Sequence, residues 1–283
     1  MPRAELGVAA VGARGYGRSM ARLDSSTYLQ HIHDESQKFR DVLADCDPAA
    51  AVPSCSEWRA ADLLWHLAEV QDWWTAVVVN RPKGLDDYVK PDRPGDYAGL
   101  LAFYDEQYVR LVDALSTADP ADSATTWHPD HQNVAFILRR QAHEALIHRR
   151  DAELAAHTIS PFPPDLAADG VDEVLDIMYG GCPPWGEFSP LPHYIRLDLT
   201  DTDEHIWVQL GRFHGTDPDG IDHEEDDLHV VTDPGVEPDA VISGTAEALD
   251  ARIWRRGDGG DIHLAGDLGI VDRFRRIIHQ PIT

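Results

Sequence analysis

The chain has 283 residues, which exceeds most single domains, so we expect two domains with separate cores. Its 50 acidic and 24 basic residues give a formal net charge of −26, which argues against binding to nucleic acid or to an anionic membrane surface. The 3 cysteines are too few and too widely spaced for a disulfide framework, so we expect a cytoplasmic protein.

The first 20 residues, MPRAELGVAAVGARGYGRSM, contain arginines and glycines but only a short apolar patch. That patch is shorter than the apolar region of a secretory signal, and nothing later in the chain approaches the length of a membrane span. We interpret residues 1–20 as a disordered extension, with a degenerate targeting peptide as the alternative.

From residue 21 to about residue 165 the sequence has a helical pattern. Apolar residues recur at spacings of three and four over stretches of about 20 residues, and linkers rich in proline and glycine separate the stretches. Four helices of similar length indicate a four-helix bundle. The predicted helices span residues 24–46, 57–80, 96–117 and 133–156.

The pattern changes near residue 165, where we place the domain boundary. Residues 166–283 combine alternating apolar and polar runs with short helical stretches, which predicts a small α+β domain with a mostly antiparallel sheet. Strands are predicted at 193–200, 205–212, 227–233 and 239–244, helices at 166–180, 245–257 and 266–279, a Pro/Gly-rich joint at 181–192, and an acidic loop at 217–229.

The fourth helical stretch, RRQAHEALIHRRDAEL, carries a carboxylate and an imidazole among its inward-facing residues. Glu144 and His148 are four residues apart and therefore about 40° apart around a helix, so both point into the bundle. Burying an isolated carboxylate costs several kcal/mol, and with no partner expected in the same stretch Glu144 needs a cation. The inward stripe is set by Val134, Ile137, Leu138, Gln141, Ala145 and Ala152.

A metal site is one way to supply that cation. His143, Glu144 and His148 are similar to the zinc-protease signature H-E-x-x-H, but the two histidines are five residues apart and diverge by about 140°. We therefore expect His143 to face solvent or a neighbouring helix. His66 lies on the inward stripe of the second helix, and with Glu144 and His148 it would leave a coordination position open, which is typical of a catalytic metal site.

Two purely structural alternatives stay open at this point. His66 could be a core histidine that hydrogen-bonds a backbone carbonyl. Glu144 and His148 could form an ordinary one-turn pair on a half-exposed face of the helix.

Three segments resemble a known family. VPSCSEWRAADLLWHLAEV, RRQAHEALIHRRDAE and DAVISGTAEALDARIWRRGDGGDIHLAGDLGIVDRF are similar to the mycothiol-dependent maleylpyruvate isomerase family, and the resemblance extends over nearly the whole chain from about residue 22. It implies a DinB-like metal-binding four-helix bundle followed by a sterol-carrier-protein-like α+β domain. It also implies that His66, Glu144 and His148 hold a divalent metal, preferably zinc, at which mycothiol binds.

The function implied is that of a metal- and mycothiol-dependent enzyme. A zinc-bound thiolate would attack a small electrophile, and the protein would act as a thiol S-transferase or as a maleylpyruvate-type cis–trans isomerase. The alternatives are a non-catalytic metal- and thiol-binding protein and a hydrolase that uses zinc-bound hydroxide. We expect a monomer whose partners are the thiol and the electrophilic substrate.

Substrate contacts are expected where the two domains meet. Arginine suits anionic substrates because its planar fork matches a carboxylate, and tryptophans near His66 could line a pocket. The structural alternatives are a solvated helix face for each arginine and core packing for each tryptophan. The candidates are Arg139, Arg140, Arg252, Arg255 and Arg256, together with Trp65, Trp73 and Trp74.

Overall fold

The computed structural model describes residues 22–85, 87–257 and 261–280. The extension predicted for residues 1–20 lies outside the described residues. Within them, the four predicted N-terminal helices are confirmed as α1 (Ser25–Ala44), α2 (Ala60–Asn80), α3 (Tyr97–Thr117) and α4 (Val134–Ala155).

Polar residues fix where the helices begin. The side chains of Asp24, Asp96 and Asn133 each accept a hydrogen bond from a backbone N–H in the first turn of α1, α3 and α4. Such caps satisfy amide groups that have no partner inside the helix. At α2 the roles of side chain and backbone are exchanged: Arg59, the residue before the helix, donates its backbone N–H to the side-chain carboxylate of Asp62 in the first turn.

The four helices pack as a bundle in which α1 lies along α4 and α2 lies along α3. Helix α4 is buried along nearly its whole length, with only Ala135, Glu144 and Leu154 outside the buried class. The reason is that α4 contacts α1 and α2 within the bundle and also contacts the C-terminal half of the chain. None of the described helices combines the length and the apolar character that crossing a membrane requires.

The C-terminal half contains a five-stranded sheet flanked by helices. After α5 (Pro164–Glu173), a π-helical turn at Val174–Tyr179 leads into the sheet. The elements that follow are β1 (Gly186–Leu199), β2 (Glu204–Thr216), β3 (Asp222–Val231), β4 (Ala240–Gly244), α6 (Ala246–Ile253), β5 (His263–Gly266) and α7 (Leu268–Ile277). The strand order in the sheet is β3-β2-β1-β4-β5. The β1–β4 pair is parallel and the other three pairs are antiparallel, so the predicted α+β fold with a mostly antiparallel sheet is confirmed.

Two segments that we predicted to be irregular are strands. Half of the predicted joint at 181–192 belongs to β1, whose prolines are accommodated by a register shift between Pro190 and Tyr194. Most of the predicted acidic loop at 217–229 belongs to β3. Its charges are tolerated because this edge strand is partly exposed and because Arg212 of β2 bonds both Glu224 and Asp226. The short strand β5 was missed because its four residues are mostly exposed and carry no alternation.

The expected pair of separate cores is not what the structure shows. The larger of two apolar clusters includes Ile32 of α1, Trp74 of α2 and Ile137 of α4, and it continues into α5 and the sheet through Leu166 and Ile195. The bundle and the α+β half therefore bury a shared surface. The boundary near residue 165 stays a prediction and falls in the first turns of α5.

A buried ionic cluster joins α4 to α5. One carboxylate oxygen of Asp169 accepts hydrogen bonds from Arg139 Nε at 2.9 Å and from the hydroxyl of Tyr28 at 2.8 Å, and it lies 2.7 Å from His143 Nε2. Burial alone would raise the pKa of Asp169, but Arg139 and His143 outweigh burial and hold the pKa below its usual value. The carboxylate is therefore ionised at neutral pH and compensates the buried charge of Arg139.

We expect Asp169→Asn to lower the free energy of unfolding by about 3–5 kcal/mol, because it leaves the Arg139 guanidinium buried without its main counter-charge. Urea denaturation at pH 7 measures the loss. The matched control is Asp165→Asn, four residues earlier on α5, whose side chain is 48% exposed and contacts His31; it should cost no more than about 1 kcal/mol. Equal losses for the two variants would contradict this account of the cluster.

Candidate metal centre

Three side chains from two helices converge near one surface of the bundle. Glu144 Oε1 lies 3.0 Å from His148 Nε2 on the same helix and 3.6 Å from His66 Nε2 on α2. One donor atom from each residue lies within 4.8 Å of the other two, which is close enough to hold one metal ion. The structure thus brings together the three residues that the sequence singled out.

The spacing and the donor types fit a divalent ion. Bonds of about 2.1 Å to zinc in tetrahedral geometry place neighbouring ligand atoms about 3.4 Å apart, close to the two distances found here. Two imidazoles and one carboxylate form a donor set that zinc accepts readily. The His66 side chain is 34% exposed, so a further ligand could approach from solvent. Metal binding at these residues remains a prediction.

A second group of residues orients His148. Its Nδ1 lies 3.0 Å from Asp151, whose two oxygens also accept hydrogen bonds from Arg256 at 2.9 Å each, and Ser54 donates to the same carboxylate. A carboxylate on one ring nitrogen keeps the proton there and leaves the other nitrogen, Nε2, free to bind a metal. We did not predict the role of Asp151, although its position three residues after His148 was a usable signal.

Glu144 does have a partner in its own helix, so the expectation that it lacks one is wrong. Arg140, one turn earlier, donates to Oε2 of Glu144, and its other terminal nitrogen donates to Glu173 Oε1 at 3.0 Å. Oε1 of Glu144 is left facing the two imidazoles. The cost of burying Glu144 is thus partly offset without a metal, and the case for a metal centre depends on the converging geometry.

These contacts set the charges of the site. Burial would raise the pKa of Glu144, but Arg140 and His148 outweigh it and hold the pKa well below its usual range. Burial would lower the pKa of His148, yet Glu144 and Asp151 raise it to about 9. Asp151 has a pKa of about 2, because hydrogen bonds from His148 and the charge of Arg256 outweigh its burial. At neutral pH a metal ion must therefore displace a proton from His148.

Glu144 also forms part of the wall of a cleft of about 600 Å³ between α2, α4 and the π-helical turn. The polar residues of this wall, apart from Glu144, are Glu69, Lys90, Arg140 and Gln141. The remaining wall residues are apolar or aromatic, namely Val70, Trp73, Trp74, Tyr88, Trp127 and Met178. Space for a second molecule thus lies beside one of the three candidate metal ligands, Glu144.

The proposed substrate-binding residues occupy several different places. Trp73 and Arg140 line the cleft, although Arg140 is buried and paired rather than solvated. Arg139 is buried and bonded to Asp169 and Asp172 on α5, so it supports the fold instead of the cleft. Arg255 is exposed and donates to the backbone carbonyl of His279, outside the residues that line the cleft.

The other candidate substrate-binding residues also lie in different parts of the structure. Trp74 lines the cleft, whereas Trp65 packs against Phe103 at 5.5 Å between ring centroids. Arg256 reaches the site through Asp151, and Arg252 lines a small cavity between the sheet and the C-terminal helices. His143 contacts a neighbouring helix, which is one of its two expected environments. Trp58, which was not predicted, packs its ring 4.7 Å from that of His66.

The fold and the site together define the class of protein: a four-helix bundle that carries a candidate His-Glu-His metal centre and is joined to an α+β half. The family model described as the mycothiol maleylpyruvate isomerase N-terminal domain matches residues 29–153, and that described as the MDMPI C-terminal domain matches residues 165–273. The chain therefore belongs to the mycothiol-dependent maleylpyruvate isomerase family, a family of enzymes, and the resemblance noted in the sequence is confirmed.

Two solved structures share this fold. The crystal structure of the mycothiol-dependent maleylpyruvate isomerase has a TM-score of 0.59 at 14% identity, and a histidine-to-alanine mutant of it has a TM-score of 0.58 at 13% identity. Each alignment covers 87% of this chain and 96% of the other. At this identity the two structures support the fold alone. Comparison with curated proteins finds no match.

We expect the purified protein to hold about one zinc ion per chain and His148→Ala to lose it, because two donors are too few to retain zinc firmly. Metal analysis after dialysis measures the content. His157→Ala, an exposed histidine just beyond α4, is the matched control and should keep the metal. Full metal content in His148→Ala would rule out the assignment.

We expect Asp151→Asn to weaken zinc binding by about 10- to 100-fold without abolishing it, since it removes the charge that orients His148 and makes its ring more basic. Competition with a chromophoric chelator measures the affinity. Ser54→Ala, which removes a neutral donor to the same carboxylate, should change the affinity far less. Wild-type affinity in Asp151→Asn would show that this carboxylate does not support the metal centre.

Proposed function

We propose that the protein is a metal- and mycothiol-dependent enzyme, either a thiol S-transferase or a maleylpyruvate-type cis–trans isomerase. The observation that supports this most is the convergence of His66, Glu144 and His148 beside a cleft that can hold a second molecule. The names of the family model and of the similar solved structure suggest which thiol is used, mycothiol, and which type of reaction is catalysed, the isomerisation of maleylpyruvate.

Each residue of the centre has a distinct part in this proposal. His66 and His148 would present Nε2 to a divalent metal, preferably zinc, and Glu144 would present Oε1. Asp151 keeps the proton of His148 on Nδ1, and Arg140 holds Oε2 of Glu144 so that Oε1 stays turned toward the imidazoles. When bound, the metal would lower the pKa of a coordinated thiol and so favour its thiolate at neutral pH.

Mycothiol bound at this centre would supply a sulfur nucleophile to an electrophilic carbon in the cleft. In an isomerase, the sulfur would add to one carbon of a conjugated double bond, the resulting single bond would rotate, and the sulfur would leave with its electron pair. In a transferase, either the adduct would take up a proton and be kept, or a leaving group would depart with its electron pair. Because both outcomes begin with the same attack, the donor geometry is compatible with either.

The cleft wall supports an enzyme more than a non-catalytic metal- and thiol-binding protein. Trp73, Trp74 and Trp127 surround the space next to Glu144 and would exclude water from a bound substrate. Excluding water protects a thiolate from protonation and strengthens electrostatic interactions inside the site. We place the protein in the reducing cytoplasm, where a low-molecular-weight thiol is available, and propose that it acts as a monomer.

Calorimetry with the zinc-loaded protein tests the thiol assignment. We expect mycothiol, for which the family is named, to bind, glutathione to bind at least about tenfold more weakly, and His148→Ala to bind neither, since the sulfur needs the metal. Absence of mycothiol binding to the metal-loaded protein would overturn the proposal and favour a zinc-hydroxide hydrolase. Binding without turnover of maleylpyruvate or any of a panel of electrophiles would favour a non-catalytic role.

A further inference from the structure

We propose that the cleft beside the metal centre accepts an uncharged, flat, conjugated carbonyl compound, such as an aryl enone or a quinone, in preference to a small dicarboxylate. This inference names the electrophile for the proposed enzyme, rests on that proposed function, and favours its S-transferase form over the maleylpyruvate-type isomerase. Three features of the cleft support it: aromatic walls, cations that are already paired, and a buried amide with no partner.

The walls are shaped for flat apolar molecules. Trp73 and Trp74 meet edge to face with ring centroids 4.5 Å apart, and Tyr88, Trp127 and Met178 complete the apolar lining. Aromatic and thioether side chains gain contact area and favourable ring contacts from a planar conjugated partner. A carboxylate placed against the same surfaces would lose hydration without receiving a hydrogen bond in return.

Among the described residues, the two cations of the cleft wall already form ion pairs. Arg140 lies between Glu144 and Glu173, and Lys90 at the rim contacts the carboxylate of Glu69. Apart from the metal ion itself, the wall would offer a dicarboxylate a counter-charge only after one of these carboxylates had been displaced from its cation. Among the wall residues the two carboxylates, Glu69 and Glu144, equal the two cations in number, so the wall has no excess positive charge to attract an anionic ligand.

A neutral hydrogen-bonding group is available instead. Gln141 lies on α4 between Arg140 and Glu144, lines the cleft, and is 2% exposed. Among the described residues, neither its Nε2 nor its Oε1 has a hydrogen-bond partner. Leaving a buried amide unpaired costs about 1–3 kcal/mol, so such a group points to a missing partner. The terminal torsion of glutamine is soft, and its rotation would turn the N–H toward a ligand carbonyl.

The available space also exceeds what a small diacid needs. The cleft of about 600 Å³ is by itself large enough for a fused-ring substrate. A second cavity of about 820 Å³, lined among others by His128 and Trp185, shares Trp127 and Met178 with the cleft.

The chemistry is a conjugate addition. The mycothiol sulfur, having lost its proton to solvent, forms a bond to the β-carbon of the enone. The electron pair of the carbon–carbon double bond moves to give an enolate, and Gln141 Nε2 donates a hydrogen bond to the developing charge on oxygen. A proton from water then reaches the α-carbon, so that sulfur and hydrogen have been added across the double bond.

Equilibrium dialysis of the zinc-loaded protein without any thiol tests the preference for uncharged ligands. We expect 2-acetylnaphthalene, a flat ketone without a reactive double bond, to bind at least about tenfold more tightly than 2-naphthoate, and maleate not to displace it. Trp127→Ala should weaken its binding about three- to tenfold, whereas Trp65→Ala, outside the cleft, should not. Tighter binding of the naphthoate, or displacement by maleate, would overturn the proposal.

The role of Gln141 is tested with a matched ligand pair. Wild type should bind 2-acetylnaphthalene about three- to tenfold more tightly than 2-ethylnaphthalene, which has no carbonyl, and Gln141→Leu should lose that preference. The variant should remain folded with its zinc content intact, since it removes an amide that has no partner. An equal preference in both proteins would show that the amide is a structural feature only.

The paired lysine gives a reciprocal test. Glu69→Gln should release Lys90 and let maleate compete at least about tenfold better than in wild type, whereas the control Lys90→Gln should show no gain. No gain in Glu69→Gln would contradict the idea that ion pairing excludes dicarboxylates. These titrations contain no thiol, so their outcome is independent of whether mycothiol binds.

Discussion

The structure depends on the pairing of buried charges along α4. This helix lies between the other bundle helices and the α+β half, yet it carries several arginines and acidic residues. Its charges are matched by groups from both sides: Arg149 bonds Glu35 of α1, Arg139 bonds Asp169 of α5, and Arg150 bonds Glu247 of α6. A buried charge is tolerated only with good partners, so these pairs fix how the two halves meet around α4.

The candidate metal centre draws on the same network. Glu144 is held by Arg140, which also bonds Glu173 at the end of α5, and His148 is held by Asp151, which bonds Arg256 just after α6. Two of the three candidate ligands are thus oriented through residues of the α+β half. This arrangement offers a physical reason why a bundle metal site would be joined to a second domain: the second domain supplies the charges that keep the ligands in place.

Periodicity was enough to predict the four helices and the inward positions of His66, Glu144 and His148, because a helix fixes which residues share a face. Periodicity did not predict the environment of residues whose partners are distant in the sequence. For Arg139 the expected roles are a substrate contact or a solvated helix face, yet its side chain is buried against Asp169 on α5. The predicted strand at 227–233 covers only the second half of β3. The acidic first half has the composition of a loop, and the arginines that pair its charges, Arg212 among them, are distant in sequence. A helical wheel shows only the residues of one helix, so it cannot reveal charged partners that come from other helices or strands.

X-ray absorption spectroscopy of the zinc-loaded protein, recorded before and after addition of mycothiol, tests the central claim most directly. We expect a first shell of nitrogen and oxygen neighbours at about 2.0–2.1 Å with an imidazole signature from two histidines, and a new sulfur neighbour at about 2.3 Å once the thiol is added. A spectrum that shows no histidine ligands, or one that mycothiol leaves unchanged, would contradict a metal centre built by His66, Glu144 and His148 to bind a thiol.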